Sequence, residues 1–186
     1  MTEQVKTTLR DSAALRWTAL LLLALAMFCA YIFMDILSPI KDLMQSERGW
    51  NSTAFGTMQG AETFLNVFVF FLIFAGIILD KMGVRFTAVL SGGVMLAGAL
   101  IKYYAISDSF TGSGLETWFT NNLNHIPVFE QLGVSPFYDG MPASAKLAAC
   151  GFMIFGCGAE MGGITVSRGI VKWFKGREMA LAMGSE

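Results

Sequence analysis

Four stretches of this sequence run for about 20 residues with almost no charge, the length an α-helix needs to cross the hydrocarbon core of a bilayer. The first is 17–37, Trp17 to Leu37, whose one charge is Asp35 and which Ser38-Pro39 stops. The second, 54–79, contains the single charge Glu62, and the third, 86–106, carries only Lys102 near its far end. The fourth, 145–174, holds Glu160, with Arg168 and Lys172 towards its end. Inside such runs each backbone group must be satisfied without water, so helices are expected, and the period-two alternation of a membrane β-barrel is not seen. Composition agrees. Only 15% of the 186 residues are charged and 54% are hydrophobic, whereas soluble domains carry about 25% charged residues. Mean hydropathy is +0.56 and net charge is −1, which argues against a soluble enzyme, a nucleic-acid binder and a disordered chain. The expected class is an all-α, multi-pass integral membrane protein with the lipid bilayer as its surroundings.

Lysines and arginines orient such a chain. Lys6, Arg10, Arg16, Lys81, Arg85, Arg168, Lys172, Lys175 and Arg177 fall on one side, and Lys41, Arg48, Lys102 and Lys146 on the other. The larger group places the tail 1–16 and the loops after the second and fourth runs in the cytoplasm, in a plasma or inner membrane if the chain is bacterial. Residues 107–144 are then an external loop, in which Pro127-Val-Phe and Ser135-Pro-Phe-Tyr can pack as a small cap and which holds the single histidine, His125. The first run is too long for a signal-peptide core and lacks a small-residue cleavage site, so it reads as an uncleaved helix. Cys29, Cys150 and Cys157 show neither disulfide nor zinc spacing, and no P-loop, haem or H-E-x-x-H motif is present, so no cofactor or metal and no enzymatic activity is expected.

The most specific feature joins the second and third runs: Gly76-Ile-Ile-Leu-Asp80-Lys81-Met-Gly83-Val-Arg85. So short a connection makes its two helices antiparallel neighbours. Gly76 allows close approach of another backbone, Gly83 a tight turn, and Lys81 and Arg85 anchor the turn at the membrane surface. This stretch resembles the loop between the second and third helices of the major facilitator superfamily, G-x-x-x-D-[RK]-x-G-[RK]-[RK]. Gly76, Asp80, Lys81, Gly83 and Arg85 match, while Val84 replaces a basic residue. A second region, Arg168 through Trp173-Phe174 to Arg177-Glu178 and Gly184, is similar to the family's loop between helices four and five, with the charged pair in the opposite order.

The resemblance implies a helical bundle of about twelve helices in two halves that rock around a midplane site. Four of them would lie in this chain, with a fifth starting at 179–186 and the rest supplied by a missing C-terminal part. It implies a secondary transporter working by alternating access. Gly76, Asp80, Lys81, Gly83, Arg85, Arg177 and Glu178 would be gating residues. Ionisable groups inside a bilayer are costly, and each marks a functional position by default. Helices one and four line the family's cavity and helix two flanks it, so Tyr31, Asp35, Glu62, Asn66, Glu160 and Arg168 are the candidates for substrate or proton handling. Three acids against one arginine suit a cationic or zwitterionic solute, or protonation in its place. Within the family the 167–182 stretch looks most like the branch related to lysosomal dipeptide uniporters, which implies a peptide- or amino-acid-like solute. An organic-anion porter, or a non-transporting four-helix membrane protein with an assembly or structural role, are the alternatives.

Overall fold

The computed structural model describes residues 12–124, 129, 131, 133, 135–176 and 178–184. Among these the chain is helical and contains no strand. Helix α1 (Ala13–Asp35) starts where the Ser12 side chain accepts a hydrogen bond from the Leu15 amide, which satisfies one of the free N–H groups of a helix start. Pro39 opens a single 3-10 turn, Ser38–Ile40, and the short α2 (Lys41–Arg48) follows, closed by Gly49 in the left-handed conformation. Asn51 caps α3 (Ser52–Phe68) by accepting from the Ala54 amide at 2.8 Å. Then come α4 (Phe71–Ile106), α5 (Gly114–Asn121), α6 (Ala143–Phe174) and α7 (Met179–Gly184).

Three stretches are helical for long enough and apolar enough to cross a membrane: Ala13–Arg48, Phe71–Ile106 and Ala143–Phe174. The apolar run 54–79, expected as one helix, is instead divided at Val69 and Phe70, where Phe70 has φ 54°. The local sequence Val67-Phe-Val-Phe70 is β-branched and aromatic throughout, and such side chains lose rotamer freedom in a helix. Phe71–Ile106 is in turn divided by Gly83, with φ 80° and ψ 169°. That backbone conformation suits glycine alone, and the chain reverses there.

Helix α6 is the axis of the bundle, and the other long helices are mostly exposed on the faces turned away from it. Helix α1 runs antiparallel to it: the Arg16 guanidinium lies 5.4 Å from the Phe174 ring centre, Met27 lies against Gly162, and Phe33 packs on Phe155 at 4.9 Å. Helix α3 runs the same way as α6, from the Trp50 indole donating to Ser144 Oγ at 2.8 Å to Glu62 against Gly156. The second limb of α4 runs back, with Ser91 Oγ donating to the Gly158 carbonyl at 2.8 Å and Gly98 seated on Gly151 and Phe155. Small residues at these crossings let the backbones touch, the usual basis of helix association where lipid removes the hydrophobic drive. The exposed faces carry Leu21, Leu22, Phe28, Ile73, Val89 and Leu96 among others.

The 107–144 segment, expected as a loop, carries α5 and folds back onto the bundle. Phe110, Phe119, Phe137 and Met141 are buried in the same core as Trp50 and Phe55, and the Phe129 ring lies 4.8 Å from Phe64. His125, Pro127 and Val128 lie outside the described residues, as do Lys6, Arg10, Ser185 and Glu186. Lys146, counted from sequence among the positive charges of the external side, is 1% exposed. Its ammonium donates to the Phe119 carbonyl at 2.9 Å, the Asn122 carbonyl at 3.1 Å and Asn124 Oδ1 at 2.7 Å, so it ties the end of α5 to α6. Lys146→Met leaves those acceptors without their donor and is expected to cost about 1–3 kcal/mol. Thermal unfolding in detergent reads this, and an unchanged midpoint would show that the clamp carries no stability.

Candidate functional site

Where α1, α3 and α6 meet, the small residues Ala30, Ala159 and Gly163 leave a groove of about 250 Å³. Its polar wall is Tyr31, Glu62, Thr63 and Glu160, and Met27 and Met34 form its apolar wall. Three of the six residues singled out as solute or proton candidates thus converge from three different helices. Glu62 is 7% exposed, and no hydrogen bond or ion pair reaches it among the described residues. The charged groups acting on it are Glu160 and Lys102.

The other three candidates lie elsewhere. Asp35 is exposed at the end of α1, one turn beyond Tyr31, and does not line the groove. Asn66 follows Glu62 by one turn of α3, with both polar atoms of its amide buried and unpartnered among the described residues. Arg168 is drawn away to the other charge cluster, at the Asp80 end of the bundle. There its guanidinium pairs with Asp80 at 3.2 Å, with both side chains more than half exposed. Leu79, Asp80, Gly83, Val84, Arg168 and Lys172 border a second, open groove of about 380 Å³ at that end.

Of the residues in the 76–85 loop, Lys81 and Arg85 are exposed beside the Gly83 turn. A side chain at Gly76 would meet nothing within 4 Å, so no backbone among the described residues approaches it. Glu178, grouped by the resemblance with the gating residues of the 76–85 loop, faces the start of α1: the Trp17 indole donates to it at 3.2 Å and Arg16 lies 3.7 Å away. Arg177 lies outside the described residues.

One charged residue of the interior escapes a reading by sequence. Lys102 is 2% exposed, its ammonium makes no hydrogen bond, and it lies 3.8 Å from the Phe152 ring centre and 5.0 Å from that of Phe33. The faces of both rings attract a cation, more strongly out of water. Asp35 and Glu62 are the acids acting on it. Its position near the end of an apolar run suggests a lysine snorkelling to the interface. The contrary signal is its place four residues inside the helix end, between Ile101 and Tyr103. Among the described residues no group of three or more His, Cys, Asp or Glu side chains gathers to hold a metal ion.

The chain matches no protein-family model, no curated protein and no solved structure.

Proposed function

We propose that this chain is the N-terminal part of a secondary transporter of the major facilitator type, which carries a small organic solute across a membrane by alternating access. The observation that carries the reading is the sorting of charge into two clusters on one helix frame. Tyr31, Glu62 and Glu160 border a groove halfway along α6, while Asp80 and Arg168 pair across its far end. A solute site at mid-depth and a breakable charge contact at one mouth are what rocking halves require. In this reading α3 with the first limb of α4 makes one pass and the second limb of α4 another, giving four passes. The Asp80 end is cytoplasmic. That assignment gains support from Lys102 and Lys146, which are taken up inside the fold and so do not count as loop charges on the opposite side. Acids in the groove favour a peptide- or amino-acid-like solute over an organic anion.

The test is uptake into liposomes of the whole protein encoded by the gene, with a panel of amino acids and dipeptides, with and without a pH gradient. Saturable uptake supports the reading, and its dependence on the gradient decides proton coupling. Folded protein that moves no solute overturns it in favour of a non-transporting membrane role. The pair at the gate gives a sharper check. An exposed ion pair contributes only about 0–1 kcal/mol to stability, so Asp80→Asn should leave the unfolding midpoint almost unchanged. It should nonetheless slow uptake by about tenfold, equivalent to about 1.4 kcal/mol on the rate-limiting conformational step. Exchanging the pair, Asp80→Arg with Arg168→Asp, should recover part of that loss; equal loss in the exchange would remove the gating role.

A further inference from the structure

We propose that the groove between α1, α3 and α6 is a site for an organic ammonium ion, seated between the carboxylates of Glu62 and Glu160; this deepens the transporter reading and rests on it for its purpose. Glu62 is more than nine-tenths buried, lines the groove and is reached by no hydrogen bond or ion pair among the described residues. A buried carboxylate with nothing to accept from is costly. A second carboxylate on the same wall, Glu160, adds like-charge repulsion. An ammonium group with several N–H donors answers both acids at once through charge-assisted hydrogen bonds.

The chain's own cation does not fill that role. Lys102 is near enough to act on Glu62, yet its ammonium stays over the Phe152 and Phe33 rings rather than in an ion pair. The aromatic seat holds the internal cation aside and leaves Glu62 open to a cation from outside. The remaining wall specifies an organic body. Met27 and Met34 are adaptable apolar surfaces, and the Tyr31 ring offers a further face to a cation. A bare hard cation of the calcium type wants six to eight oxygen ligands, more than two carboxylates, Thr63 and Tyr31 present.

The test is titration calorimetry on the detergent-solubilised full-length protein with two probes of the same shape, phenethylammonium and 3-phenylpropionate, and with sodium chloride as a third. Phenethylammonium should bind, and 3-phenylpropionate and sodium should not. Glu62→Gln and Glu160→Gln should each weaken phenethylammonium binding by at least about tenfold, with Thr63→Ala, on the same wall, losing much less. Unfolding midpoints accompany each variant. If Glu62→Gln fails to fold, the more exposed Glu160 carries the decision through its own variant. Binding of the carboxylate probe, binding of sodium in its place, or undiminished binding by folded Glu160→Gln overturns the site. Phenethylammonium binding without any solute uptake in liposomes would keep the site and refute the transporter; uptake with no ammonium binding would do the reverse.

Discussion

Gly156→Leu is expected to abolish the folded state, and Gly156→Ala to lower its stability by about 1–3 kcal/mol, the cost of forcing extra carbon into a packed interior. A Cβ at Gly156 would run into the Glu62 backbone carbonyl and its carbonyl carbon, with the Glu62 side chain close behind. Backbone cannot swing aside as a side-chain tip can, so relief requires α3 to move off α6. That movement would also pull apart the groove, since Glu62 stands on one of those helices and Glu160 on the other. Gly163→Ala is the control. It lies two turns further along the same helix, and a Cβ there meets nothing within 4 Å. Removing glycine where its freedom is not needed is neutral or stabilising by a few tenths to about 1 kcal/mol. Thermal unfolding in detergent, read beside the yield of monodisperse protein, separates the two. Equal midpoints for Gly156→Ala and Gly163→Ala would show that α3 does not rest on α6 as described.

The limits of the long helices show what hydropathy can and cannot convey. Helix α6 runs 143–174 against an expected 145–174, because Pro142 and Lys175 bound an apolar run whose length and helix limits coincide. The reversal at Gly83 was legible too, since a glycine between charged residues in a short connection permits little else. The break at Phe70 was not. Apolarity continues unbroken through 67–70, and a hydropathy profile carries no information about φ. The 107–144 segment hid its structure for a different reason: its buried Phe110, Phe119 and Phe137 share a core with Trp50 and Phe55 and its helix end is tied by Lys146, all distant in sequence.

The same distinction governs the site. That Glu62 and Glu160 stand inside apolar runs, and so at costly positions, follows from local sequence. That they share one wall with Tyr31 depends on the rotation of three helices about their axes. Periodicity fixes which residues of one helix share a face but says nothing of how two helices are turned towards each other. Arg168 illustrates the consequence: it lies on the same helix as Glu160, yet its guanidinium pairs with Asp80 at the far end. Lys102 is absent from the candidates drawn from sequence for a related reason. A lysine near a helix end has a stem long enough to reach water, and only the placement of Phe33 and Phe152 turns that stem inward.

Reversing that charge, Lys102→Glu, is therefore expected to be among the most damaging single changes in the protein. The ring faces that hold an ammonium carry negative charge and would repel a carboxylate. Asp35 and Glu62, whose charges act on Lys102, would then act on a third acid in place of a cation. A buried charge without a partner costs several kcal/mol, and reversal replaces a cation held by ring faces with an anion they repel. Lys102→Met separates the charge from the packing. Its unbranched side chain keeps an apolar stem between Phe33 and Phe152, and volume-conserving apolar exchange costs less than about 1.5 kcal/mol. Asp35 is exposed and Glu62 borders an open groove, so neither is sealed without water when the lysine charge is gone. The expected order of unfolding midpoints is wild type, close above Lys102→Met, far above Lys102→Glu. If the glutamate variant melts with the wild type, the ammonium is not held between the two rings, and with it falls the reason Glu62 stands open to a cation from outside.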